Sequence, residues 1–174
     1  IYSEFGFQGA VIAIIILSAL TIGDYAKEEV LRIIGLAWGS EDLASAIGAT
    51  RRRDAKGEWT DLFRMVRSTL LLTAHARGIA PIETAFADFR NLEGLKHAAV
   101  QSRADGFVGM LAIHPDQVEI IKTAFSPGDA EIAAAQAIVD LFDANPETAV
   151  LQMDGRMVEK PHLEQARQLL ASLD

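Results

Sequence analysis

Three stretches of this 174-residue chain put charged and hydrogen-bonding side chains directly after short apolar runs. Gly39-Ser40-Glu41-Asp42-Leu43 follows the run IIGLAW at 33–38. Ala87-Asp88-Phe89-Arg90-Asn91 comes soon after 79–82, and Ile113-His114-Pro115-Asp116-Gln117 closes 108–113. A carboxylate on such a turn suits Mg2+, a hard cation that takes carboxylate oxygens and keeps waters for a substrate to displace, and Asp42 is the candidate ligand. Asp42 or Ser40 could equally cap a helix that begins near Leu43. His114 could meet a ligand, or it could be a structural hydrogen-bonding residue ahead of the proline that starts a helix. Asp88 offers a second ligand contact, or holds its own loop by pairing with Arg90. Arg51, Arg52 and Arg53 form the one dense basic run. Guanidinium forks match phosphate oxygens, so Arg52 and its neighbours could hold a nucleotide-like handle, and a solvated loop is the alternative. Trp59 could stack on a base or staple the next helix.

These groups need a scaffold that brings loops together. In parallel barrels and open α/β sheets the loops converge at the carboxyl ends of the strands, where these residues fall. The continuous β-branched run at 11–16 reads as a strand covered on both faces, and 33–38, 79–82 and 108–113 read as further strands. Residues 60–76 carry Leu62, Phe63, Val66, Leu70 and Thr73 at helical spacing, and 92–103 follow Asn91 as an N-cap. The tail, 129–144 and 161–173, reads as helices alone, the second opened by Pro161. Strands alternating with helices imply parallel pairing, in a doubly wound sheet or a barrel. The four strand candidates are half of what an eight-stranded barrel needs, so either further residues or a second chain completes the sheet.

Composition narrows the partners. With Lys and Arg totalling 16 against 24 Asp and Glu, the net charge of −8 argues against nucleic acid and for a small molecule. The chain has no cysteine, which removes thiolate chemistry and leaves a reducing cytoplasm as the default. The apolar stretch 9–23 is too short to span a membrane. A single domain is expected.

Taken together and in order, GLAWGSEDLASAIGA (35–49), FADFRNLEGL (86–95), GFVGMLAIHPDQV (106–118), AFSPGD (124–129) and DGRMVEKPHLEQARQLL (154–170) resemble the citrate lyase beta-subunit-like and malyl-CoA lyase family of the HpcH/HpaI aldolases. The resemblance runs over 35–170. It implies an α/β fold, the TIM (β/α)8 barrel, of which this chain carries mainly the C-terminal half, with 146–174 as a helical tail. It further implies an Mg2+-dependent lyase that makes or breaks a carbon–carbon bond next to a coenzyme A thioester, with a 2-oxo acid as the other partner. On this pattern Asp42 is the metal ligand, Glu41 a supporting neighbour, and Asp88, His114 and Arg52 contact substrate or coenzyme A. Glu159 stands where relatives carry an aspartate that acts as acid or base, although it could also just initiate the last helix. A tail that covers a neighbouring subunit's site implies a homo-oligomer, a trimer or hexamer.

Three departures from the pattern matter. Met110 replaces a lysine, the run AIIILSAL (13–20) lacks the family's second metal carboxylate, and an arginine near the amino terminus has no counterpart. The first thirty or so residues therefore read as though pieces of a longer chain had been joined. Two other readings stay open on the sequence: a coenzyme A-independent, pyruvate-forming class II aldolase, and a non-catalytic barrel subunit that has lost its metal site.

Overall fold

In the computed structural model of the chain, the described residues are 11–14 and 33–173, and they fall into two compact units, 1–125 and 126–174. The end of the expected strand at 15–16, the acid-free run to residue 20 and most of the poorly matching start lie outside the described residues.

The first unit is built on four parallel strands, β1 (Val11–Ile14), β2 (Ile33–Ala37), β3 (Ala80–Glu83) and β4 (Gly109–Met110), which lie side by side in sequence order. Every crossover therefore steps one place in the same direction. A doubly wound sheet would show a reversal of order at its switch point, so this is the winding of a barrel wall. Register is carried by Leu36↔Pro81 and Ala37↔Ile82 between β2 and β3, and by Ile82↔Gly109 and Glu83↔Met110 between β3 and β4. The last strand is shorter than its apolar run suggests, because only two of its residues pair.

Two helices, α1 (Ser40–Ile47) and α2 (Asp61–Ala76), separate β2 from β3, α3 (Leu92–Asp105) separates β3 from β4, and α4 (Pro115–Phe125) follows β4. On α2 the core-facing residues are Phe63, Val66, Leu70 and Ala74, which recur every three or four positions and pack with Leu36, Trp38 and Phe107. Leu62, expected on that stripe, is 43% exposed and points the other way. Asn91 caps α3 as expected, its side-chain oxygen accepting a hydrogen bond from the Gly94 amide at 2.9 Å.

The second unit holds α5 (Asp129–Asp143), an antiparallel hairpin of β5 (Val150–Met153) and β6 (Arg156–Glu159), and α6 (Lys160–Ala171). Its core is Phe142, Val158 and Leu163. The reading of this tail as helices alone missed the hairpin, whose strands are only four residues each and show little alternation of hydrophobic and polar side chains. The signal was the Asp154-Gly155 pair. Both residues have positive φ, 50° and 76°, as a two-residue type I′ turn demands. A β-branched residue at Gly155 would be strained there. Gly155→Val is expected to destabilise the hairpin by about 1–2 kcal/mol. Thermal unfolding checks this, and an unchanged midpoint would contradict the turn assignment.

Candidate active site at the carboxyl ends of the strands

Helix α1 starts at Ser40 with Gly39 as its N-cap, so Ser40, Glu41 and Asp42 form the first turn. Carboxylates are favoured there by the unpaired N–H groups and the helix dipole. No side chain caps this helix. The capping role open to Ser40 or Asp42 is therefore not taken up, and Asp42 is left exposed with its carboxylate folded back over Gly39. A Cβ at residue 39 would meet the end of that carboxylate, which the exposed Asp42 side chain could relieve by rotating away. Ser40 is buried and tied to the next strand end. Its amide donates to Thr84 Oγ1 at 3.2 Å, and the two hydroxyls lie 3.4 Å apart.

The basic run is not a free solvated loop. Arg52 forms an ion pair with Glu41. Asp54 closes the turn behind the run by accepting from the amides of Lys56 at 2.8 Å and Glu58 at 3.0 Å. Arg53 donates to the Gly57 carbonyl at 2.7 Å, and its guanidinium lies 3.6 Å from the centre of the Trp59 ring. Burial lowers the Arg53 pKa, against the opposing pull of Glu83 and Glu58, yet a guanidinium stays charged at neutral pH. Trp59 packs on Trp38 with ring centres 5.2 Å apart and on Phe63 at 6.2 Å, so it serves the core rather than a base.

Behind this loop lies a residue that the sequence reading passed over. Glu83, the last residue of β3, is 2% exposed. Its Oε1 accepts from Trp38 Nε1 at 2.7 Å and from the Thr84 amide at 2.9 Å, and its Oε2 accepts from Arg67 Nε at 2.5 Å and from the Ser102 hydroxyl at 3.0 Å. Arg67 also reaches Asp105 at 2.7 Å and lies over the Phe107 ring. The carboxylate thus ties β2, α2 and α3 to the end of β3. The available signal was an acid closing an otherwise apolar strand run, APIE.

The loops after β3 and β4 are joined as well. Asp88 is exposed, and Arg90 sits 5.5 Å over the Phe89 ring instead of forming an ion pair with it. Phe89 stacks on His114 with centres 4.9 Å apart and planes 19° apart. His114 Nδ1 accepts from the Asp116 amide at 3.2 Å and also lies 3.5 Å from the Asp116 carboxylate, so the structural role open to this residue is filled; with Nδ1 accepting, the proton of a neutral ring is on Nε2.

Arg52, Glu41 and Asp88 come together on the wall of a cavity of about 320 Å³, with Ser40, Trp59 and Phe86. Asp42 follows the lining residue Glu41 without lining the cavity itself, and His114 is not part of its wall. A larger cavity of about 760 Å³ shares Arg53, Trp59 and Phe86, and it contains Arg67, Glu83 and Met110 in its wall. Glu159 belongs to the other unit, where it ends β6 and precedes the first turn of α6, its amide donating to His162 Nδ1 at 3.1 Å. Among the described residues no group of three or more His, Cys, Asp or Glu could hold a metal ion.

The family model described as C-C bond lyase of the TIM-barrel fold matches residues 16–172. A citrate lyase subunit beta-like protein of Mycobacterium tuberculosis is 34% identical over 137 residues, covering 79% of this chain and 50% of that protein. A (3S)-malyl-CoA thioesterase of Cereibacter sphaeroides is 34% identical over 145 residues, covering 82% of this chain and 49% of that protein. The crystal structure of CitE from Mycobacterium tuberculosis in complex with magnesium, acetoacetate and coenzyme A is similar with a TM-score of 0.71 at 33% identity, covering 79% of this chain and 51% of that one. The chain spans about half the length of the relatives it matches.

Removing one partner from the Glu83 cluster leaves a buried charge uncompensated. Glu83→Ala is expected to cost about 3–5 kcal/mol in urea unfolding, the scale for breaking a buried ion pair. A loss under about 1 kcal/mol, the scale of an exposed pair, would contradict the structural role.

Proposed function

Since the chain belongs to the carbon–carbon bond lyases of the TIM-barrel fold, matching that family over residues 16–172, we propose that it serves an Mg2+-dependent lyase of the citrate lyase beta-subunit type. The reaction cleaves or forms a 3-hydroxyacyl-CoA of the citryl-, malyl- or citramalyl-CoA kind, giving acetyl-CoA and a 2-oxo acid. The observation that carries this reading is the cavity at the ends of β2 and β3, where Arg52 and Asp88 face one space beside the Asp42 turn. The magnesium, acetoacetate and coenzyme A held by the similar CitE structure are ligands of the same classes.

The donor chemistry of the turn fits Mg2+. That ion is commonly held by one or two carboxylates, with waters and substrate oxygens completing its shell. Asp42 supplies one such carboxylate, exposed and at a helix amino end. When bound there, the metal would polarise a keto oxygen and stabilise enolate charge.

The other residues bind and orient. Arg52, anchored through Glu41, presents a guanidinium to the phosphates of the coenzyme A handle. Asp88 accepts hydrogen bonds from the ligand at the neighbouring strand end, and His114 offers its Nε2 proton from a ring fixed by stacking on Phe89. Glu159 takes and returns the proton at the methyl carbon of the acyl group. Its side chain is one methylene longer than an aspartate, which moves the carboxylate by about an ångström and alters the rate accordingly. Met110 stands on the wall of the larger cavity, away from Arg52 and Asp88.

The same reading places the protein in the cytoplasm as a homo-oligomer, a trimer or hexamer, acting on small molecules and engaging neither nucleic acid nor membrane. No helix among the described residues is long and apolar enough to cross a membrane.

The test is titration calorimetry with Mg2+ plus oxalate, paired with turnover of acetyl-CoA with glyoxylate, oxaloacetate or pyruvate. Asp42→Asn is expected to abolish the heat of binding and to lower turnover at least about a hundredfold. Because Asp42 is exposed, its loss should change stability by no more than about 0.5 kcal/mol. Wild-type binding by Asp42→Asn would overturn the metal assignment, and absence of any heat with the unaltered protein would favour a non-catalytic subunit.

A further inference from the structure

Gln117 exposes none of its surface. A primary amide buried without partners costs several kcal/mol, so the question is where its two ends go. Its Oε1 accepts from the Ile113 amide at 2.9 Å, and its Nε2 donates to the Phe86 carbonyl at 2.9 Å. The first bond is ordinary for a glutamine in the first turn of a helix, where such side chains reach back over the amino end. The second is not. It crosses 31 residues of sequence to the loop after β3, which no helix cap requires.

The position of that bond matters. Pairing between β3 and β4 stops at Glu83↔Met110, with Leu111 donating to the Glu83 carbonyl just beyond. Phe86 lies three residues past the end of β3 and Ile113 three past the end of β4, so Gln117 joins the two loops where the ladder no longer does. Further out on the same loops, Phe89 stacks on His114.

We propose that Gln117 is a positioning residue that sets the separation of the β3 and β4 loops, and through it the orientation of the Phe89–His114 pair toward a ligand. The effect on catalysis rests on the lyase reading given above. The effect on geometry does not, and the two are measured apart.

The geometric test is NMR of the histidine ring protons in the ligand-free protein. With four histidines in the chain, the His114 signals can be assigned by substitution. Stacking on Phe89 should displace them from the position of an unstacked ring. Gln117→Met, apolar and of similar length, removes both hydrogen bonds and should abolish that displacement. Gln117→Asn, one methylene too short to span both partners, should do the same and serves if the methionine variant does not fold. Leu70→Val, which loosens the core of the same unit, should leave the displacement intact. Retention of the wild-type His114 signals in the folded Gln117 variant, or their loss in Leu70→Val, would overturn the proposal.

The kinetic arm follows. If the lyase reading holds, Gln117→Met should raise the KM for the acyl-CoA about tenfold while kcat stays within about twofold, since ligand contacts are displaced and the reacting groups are not. A lost displacement with unchanged KM would uphold the staple while contradicting Asp88 and His114 as ligand contacts.

Discussion

A carboxylate shut away from water holds this unit together. Glu83 would be costly to bury alone, and each of its oxygens instead receives two donors, which come from β2, α2, α3 and the adjoining backbone. Such a group demands that all its partners arrive together, because losing any one leaves the others desolvated and unpaired. Trp38, Arg67 and Ser102 are thereby fixed in register with the end of β3. The core residues Phe63, Leu70 and Phe107 fill the space between those elements but specify no such register.

The ligand-facing rim depends on this anchor through short links. Thr84, whose amide is held by Glu83, accepts from the Ser40 amide and so locates the first turn of α1, with Asp42 two residues on. Trp38, bonded to Glu83, packs on Trp59, which in turn supports the Arg53 guanidinium. On the far side Gln117 joins the next pair of loops. Adjacent strand ends are thus joined by side chains where the backbone ladder has run out. The Asp42 turn, the basic loop and His114 can then keep their relative places even though each lies on a surface loop.

Much of this was legible in the residues. Apolar runs followed by polar turns located β2, β3 and β4, and the helical spacing of Phe63, Val66 and Leu70 located α2, because burial writes its period directly into the sequence. The strand ends carrying Asp42, Asp88 and His114 were found by the same logic. Glu83 and Gln117 were not. Each is polar and buried, and besides a local bond it has partners 16 to 45 residues away, which no local pattern reveals. The β5–β6 hairpin escaped for a different reason. Its strands are too short to show a period, and only the Asp154-Gly155 turn announces them. Arg52 and Arg53 looked like a solvated run because their ion pair and ring contact depend on the fold of the loop around Asp54.

On the proposed function, the exposed Asp42 turn receives a divalent cation together with a keto acid. The most direct measurement is anomalous scattering from crystals soaked with Mn2+ and oxalate. A peak at direct coordination distance from an Asp42 oxygen, with oxalate completing the shell toward Arg52 and Asp88, is the expected result. An Asp42 carboxylate still folded over Gly39, with manganese elsewhere or nowhere, would contradict it.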